Sequence, residues 1–206
     1  MRIEIADLGI NNLTSIERAL LKRIGNSDSC ISISNPNQSD SPNLLVLPGL
    51  GHFAAGMQRL KESGLDKLFL EENSKQTPIV GICLGMQLLS DGSEEASGIP
   101  GLGLVPGLVK KLPDGESIPN IGWCELEPTR LAEDFPSLMS ECDFYFVHSF
   151  HMDIADKSKV MTTTKFGDSR FVSSIKSENL LGFQFHPEKS GKIGQMLVQD
   201  IFEWVM

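Results

Sequence analysis

The sequence predicts an α/β fold: a mostly parallel central sheet flanked by helices, with a smaller β-rich part in the second half. Three observations carry that expectation. In the first half, short runs that are apolar on both faces alternate with segments of helical period, the pattern of a parallel sheet covered on both sides. After Leu102 the chain is densely punctuated by Pro and Gly, leaving room only for short strands. The 206 residues, 40% hydrophobic and 22% charged, suffice for one core, so a single domain over 1–206 is expected.

The elements follow in order. Arg2–Ala6 reads as a strand that ends at Asp7-Leu8-Gly9. Leu13, Ile16, Ala19, Leu20 and Ile24 fall at helical spacing behind Asn11-Asn12, with Asn as N-cap and Gly25 as the stop. Residues 30–33 make a weak alternating strand, and 34–43, rich in Ser, Asn and Pro, a loop. Residues 44–47 form a fully apolar strand ended by Pro48-Gly49. Residues 53–73 read as helix, interrupted near Gly64. Residues 78–82 are a second fully apolar strand, and 84–89 turn helical. Short strands are expected at 144–147, 160–164 and 171–175. The last helix carries Ile193, Met196, Leu197, Ile201, Trp204 and Val205 on a stripe that packs back on the core.

Composition narrows the function. A net charge of −9 without a Lys/Arg-rich run disfavours nucleic acid as the main partner. No apolar run approaches a membrane span and no leader is visible, so a cytoplasmic protein is expected. Cys30, Cys83, Cys124 and Cys142 lack C-x-x-C spacing, which argues against a zinc site or a disulfide scaffold and for reduced, buried thiols.

The chemistry concentrates in two segments. Gly81-Ile82-Cys83-Leu84-Gly85 follows a fully apolar strand and precedes a helical run, the G-x-S-x-G elbow with Cys in place of Ser. A nucleophile held out on so sharp a turn needs small residues two before and two after it. The helix after Cys83 directs its positive end at the sulfur and favours thiolate over thiol. Alone, the segment also fits a core cysteine between incidental glycines. The second segment, Gly182-Phe183-Gln184-Phe185-His186-Pro187-Glu188-Lys189-Ser190, sets His186 and Glu188 on one side of an extended chain. Glu188 can fix the tautomer of His186, whose other nitrogen then takes a proton from Cys83. A third segment, Pro48-Gly49-Leu50-Gly51-His52-Phe53, is a Gly-rich turn whose N–H groups could join that of Leu84 in holding an oxyanion. His52 reads as a loop residue.

Gly-Ile-Cys-Leu-Gly-Met-Gln with Gln-Phe-His-Pro-Glu-Lys-Ser resembles the class I, triad-type glutamine amidotransferases, which have a flavodoxin-like fold. Pro48 to Phe53, Asn120-Ile121-Gly122-Trp123 and Tyr145-Phe146-Val147-His148-Ser149-Phe150 narrow the resemblance to the glutaminase subunits of imidazole glycerol phosphate synthase. The resemblance implies glutamine as substrate, Cys83 as nucleophile, His186 as general base and acid, and Glu188 as its orienting partner. It implies that Gln87 and Glu95 hold the amino-acid end of the substrate. It also implies that Gly49, Leu50 and Gly51 form the oxyanion strand, and that His148, Ser149 and Phe150 line the pocket. His148 fits a packed structural histidine equally well. The implied partner is a (β/α)8 barrel cyclase of the HisF type, which receives ammonia and makes imidazole glycerol phosphate and an aminoimidazole carboxamide ribotide. Asn11, Asn12, Asn120 and Trp123 match segments near that interface, although Trp123 fits a core tryptophan as well. No metal or cofactor is implied. The chain departs from the family pattern at Asp7-Leu8-Gly9-Ile10-Asn11-Asn12, where a Tyr and a Gly are replaced, and at Cys124, which stands where Asn is common. Paralogues of this subunit supply ammonia for bacterial surface-sugar biosynthesis, which keeps a second acceptor open.

Overall fold

The computed structural model describes residues 1–9, 13–22, 25, 28–113 and 117–206. Asn11 and Asn12, the pair expected to supply the N-cap, and Ile24 lie outside them. The strands in chain order are β1 (Arg2–Ala6), β2 (Ser29–Ile33), β3 (Leu44–Gly49), β4 (Ile79–Cys83), β5 (Gly92–Ser93), β6 (Gly107–Lys111) and β7 (Asn120–Glu125). They continue as β8 (Glu127–Pro128), β9 (Asp143–His148), β10 (Phe150–Ile154), β11 (Val160–Phe166), β12 (Ser169–Ser177) and β13 (Leu180–Phe183). The helices are α1 (Leu13–Leu21), α2 (Phe53–Ser63), α3 (Leu65–Ser74), α4 (Leu84–Leu88) and α5 (Gly191–Val205).

The main sheet has the order β2-β1-β3-β4-β13-β12-β11-β8. The first five strands in that order pair in parallel and the last three are antiparallel. Side chains on the parallel strands alternate between two cores. Ile3, Ile5, Leu44, Val46, Val80, Ile82, Leu181 and Phe183 pack with α1, α5 and the aromatic side chains of β9. Leu45, Leu47, Ile79 and Leu180 pack with α2, α3 and α4 on the other face. β3, β4 and β13 therefore read as continuous apolar runs because both faces are buried. β10, β6 and β5 form a three-stranded sheet on the α2 side, and β7 pairs with β9 in a separate antiparallel ribbon.

Several expectations shift at their edges. β3 continues through Pro48 and Gly49, where only β4 flanks it, so a residue without an N–H is tolerated there. Gly64 separates α2 from α3 with φ 77, a left-handed value that glycine adopts at no steric cost. On α5 the buried face is Ile193, Gly194, Leu197, Val198, Ile201 and Phe202, while Met196 is 40% exposed. Trp204 and Val205 pack against the same core, so the expected stripe holds except at Met196, and Gly194 lets the helix approach the Pro187 carbonyl closely. Of the cysteines only Cys83 is buried; Cys30 and Cys124 are half-buried and Cys142 is exposed.

Candidate active site

Cys83 ends β4 with φ 54 and ψ −111, and α4 starts at the next residue. A non-glycine residue in this region is strained by about 1–3 kcal/mol and persists only where its surroundings fix it. The neighbouring glycines show how. A Cβ on Gly85 would lie 1.7 Å from the Leu47 carbonyl oxygen, and one on Gly81 would lie 2.8 Å from the Met86 backbone. One on Gly49, which pairs with Cys83 across the strands, would meet the Leu84 Cβ at 2.8 Å. The turn closes only with hydrogen at these positions.

β13 lies beside β4 with Phe183 opposite Ile82, so the chain beyond Phe183 runs alongside Cys83. It delivers Gln184 and His186, and Pro187–Lys189 then forms a 3-10 turn. Glu188 reaches back from that turn, not from a continuing strand as the spacing suggested, because Pro187 fixes the first helical position. Its Oε1 accepts from His186 Nδ1 at 2.7 Å, and both side chains are buried. His186 Nε2 is also buried and is left for the Cys83 sulfur. Burial alone depresses the His186 pKa, but the Cys83 sulfur and the Glu188 carboxylate outweigh it and push the value up to about 9.

A cleft of about 210 Å3 opens on Cys83, walled by Leu50, Gly51, Leu84, Gln87, Glu95, His148, Ser149 and Phe150 and also by Pro119 and Val147. Glu95 Oε2 accepts from the Phe53 N–H at 2.7 Å and so caps α2, while Oε1 lies 3.0 Å from His52 Nδ1. His52 therefore flanks the cleft through Glu95, a contact across 43 residues that no local pattern reveals. The Nδ1–H of His148 donates to the Phe150 carbonyl at 2.8 Å, and its Nε2 faces Asn120 Nδ2 at 3.2 Å. Burial pushes the His148 pKa down to about 3. With both ring nitrogens engaged, His148 is a neutral wall of the cleft rather than a proton carrier.

Asn120 faces His148 and also accepts from the Cys124 thiol at 3.7 Å, so it braces the cleft wall. Gln184 had no role in the sequence reading, yet its side chain is 0% exposed with Nε2 3.7 Å from the Cys83 sulfur. Trp123 is 55% exposed, which removes the core alternative, and it meets Tyr145 edge-to-face at 5.8 Å. Ile121 is exposed on the same face of β7. This ribbon borders the segment that carries His186: the Tyr145 carbonyl accepts from the His186 N–H at 2.9 Å, and the Tyr145 N–H donates to Ser190 Oγ at 3.0 Å. Among the described residues no group of three or more His, Cys, Asp or Glu is placed to hold a metal ion, and no helix is long and apolar enough to cross a membrane.

The sequence is similar to known proteins along nearly its whole length. The family profile described as glutamine amidotransferase class-I matches residues 7–204. The chain is 39% identical over 199 residues to the imidazole glycerol phosphate synthase subunit HisH of Pyrococcus furiosus, covering 97% of each chain. It is 37% identical over 204 residues to the subunit of the same name from Thermotoga maritima, covering 98% of this chain and 97% of the relative. A crystal structure of a glutamine amidotransferase superposes with a TM-score of 0.74 at 17% identity over 98% of both chains. PurLQS from Thermotoga maritima superposes with a TM-score of 0.73 at 18% identity, covering 100% of this chain and 99% of the other. At such identities these two superpositions speak for the fold alone. The likeness in sequence goes further, and by it the chain belongs to the class-I glutamine amidotransferase family, where it groups with the HisH subunits.

Proposed function

We propose that this chain is a glutaminase that hydrolyses glutamine to glutamate and ammonia, and passes the ammonia to a (β/α)8 barrel cyclase that makes imidazole glycerol phosphate. The observation that carries the chemistry is the strained Cys83 facing a buried His186 whose other nitrogen is held by Glu188 at 2.7 Å. The acceptor reading is supported by 39% identity over 97% of the chain to a subunit named for imidazole glycerol phosphate synthase.

The steps follow from the geometry. The Cys83 thiolate, paired with the His186 imidazolium, attacks the side-chain amide carbon of glutamine. The carbonyl oxygen becomes an oxyanion, held by backbone N–H groups of the Gly49-Leu50-Gly51 segment and of Leu84. His186 gives its proton to the amide nitrogen, the C–N bond breaks, and ammonia leaves a glutamyl thioester on Cys83. Water then loses a proton to His186 and adds to the thioester carbon, and the C–S bond breaks to release glutamate and restore the thiolate. Gln87 spends its amide hydrogens on the Phe150 carbonyl at 2.8 Å and Gln184 Oε1 at 3.0 Å, so its own oxygen is left for a donor, as the substrate's ammonium is. Glu95 supplies the opposite charge from across the cleft.

Ammonia serves a synthase only if it reaches the acceptor without being lost to water. The exposed Ile121 and Trp123, beside the segment that carries His186, form the face on which the barrel subunit docks. The test is glutamate release by the purified chain, alone and with a cyclase subunit and its ribonucleotide ligand. A large rise on adding the cyclase supports the assignment. Full turnover by the isolated chain, with no response to the cyclase, sinks the partner reading and leaves a stand-alone hydrolase.

A further inference from the structure

The Cys83 sulfur has two polar neighbours besides His186. The Val147 carbonyl oxygen lies 3.9 Å away and Gln184 Nε2 lies 3.7 Å away. A carbonyl can only accept, so Val147 favours a protonated thiol, whereas an amide N–H facing the sulfur favours the thiolate. Which atom of the Gln184 amide faces the sulfur therefore matters, and the surrounding bonds decide it. The Phe150 carbonyl is an acceptor with two lone pairs and cannot be turned round. It takes Gln87 Nε2 at 2.8 Å and His148 Nδ1 at 2.8 Å, which fixes the orientation of the first amide. The second hydrogen of Gln87 Nε2 points to Gln184 at 3.0 Å, and only the Gln184 oxygen can receive it. Gln184 Nε2 is thereby turned to Cys83. At 0% exposure Gln184 has no water to compensate a reversed amide, so reversal leaves two buried donors opposed.

We propose that Gln184 is a catalytic residue of the glutaminase reaction: its Nε2–H donates to the Cys83 sulfur and holds it as a thiolate aimed into the cleft, through an amide relay anchored on the Phe150 carbonyl. The proposal rests on Cys83 being the nucleophile. The relay works in both half-reactions. It favours the thiolate before attack and favours it again as the leaving group when water opens the thioester. It also couples substrate to nucleophile, because Gln87, which spends its amide hydrogens on Gln184 and Phe150, presents its oxygen to the cleft. The titratable groups facing Cys83 are His186 with Glu188 behind it, Glu95 across the cleft and His148 on β9. His148 stays neutral over the working range, since burial holds its pKa near about 3.

Gln184→Met keeps the volume and removes the donor. The rate of Cys83 alkylation by iodoacetamide in the full chain is followed against pH by peptide mass mapping, so that Cys30, Cys124 and Cys142 do not contribute. The midpoint is expected to rise by about one pH unit, which is about a tenfold loss of thiolate below it, while the rate at high pH is not reduced. Gln184→Glu, of the same shape, carries the test if the Met variant does not fold, and it moves the midpoint up further because a carboxylate then faces the sulfur. A midpoint unmoved in a folded variant, or a uniform fall in rate at every pH, overturns the proposal and makes Gln184 a packing residue. Glutamine hydrolysis that survives Cys83→Ala overturns instead the nucleophile assignment beneath it.

Discussion

His148 and His186 flank Cys83, and their surroundings shift their pKa values in opposite directions. The pKa of His186 is pushed up to about 9: burial works against the charge, and the Cys83 sulfur and Glu188 carboxylate overcome it. Its contribution to stability is complete below the unfolded value of about 6.5 and is lost as pH rises through about 9. The pKa of His148 is pushed down to about 3 by burial, so its contribution is complete above about 6.5 and is lost as pH falls toward about 3. Thermal melting across this range should therefore fall off on both sides. Glu188→Gln should flatten the alkaline limb and leave the acid limb in place. An alkaline limb identical to the wild type would mean that Glu188 does not hold the charge on His186. At this scale the arrangement of Cys83, His186 and Glu188 was readable, because each sits in a short motif that sets its local geometry; their catalytic roles are the proposal. It could not reveal Gln184 or the His52–Glu95 pair, whose partners lie 101 and 43 residues away.

Among elements, the elbow and α5 are both set by glycines that admit close backbone approach. Gly85→Ala puts a Cβ 1.7 Å from the Leu47 carbonyl, where rigid backbone has to shift. It should cost about 2–4 kcal/mol in denaturant melts and abolish Cys83 reactivity. Gly194→Ala is a sharper case. In an exposed helix interior this change stabilises by about 1 kcal/mol, but here the Cβ would lie 1.9 Å from the Pro187 carbonyl. The sign should reverse, and the turn carrying Glu188 should move with α5. A stabilised Gly194→Ala variant would contradict the close packing of α5. The ribbon of β7 and β9 behaves differently, since Trp123 is exposed and supports little of the core. Trp123→Ala should leave the melting temperature nearly unchanged and weaken cyclase binding by about tenfold or more in calorimetry. The strands β3 and β4 were legible because burial on both faces gives continuous apolar runs. On α5 the expected stripe held except at Met196, because helical period alone does not show that Gly194 and Val198 complete the buried face.

The whole molecule gathers its chemistry at the carboxyl ends of three adjacent strands. β3 ends at Gly49, β4 ends at Cys83, and the chain leaving β13 brings Gln184 and His186 alongside them. Residues separated by more than a hundred positions thus meet with little freedom, since their strands are locked by parallel register in a sheet buried on both faces. The fold class was readable from periodicity, and strands were expected within β11 and β12, but not that these extend the main sheet antiparallel with β8 at its edge. The order of strands was not, because nothing local says that β13 returns to lie against β4. The most direct measurement of the central claim is mass mapping of the chain after treatment with a glutamine analogue bearing an electrophilic chloroketone. The account predicts one adduct, on the peptide carrying Cys83, slowed when glutamine competes and lost in Cys83→Ala. Adduct formation elsewhere with Cys83 untouched, in a folded chain that hydrolyses glutamine, would contradict it.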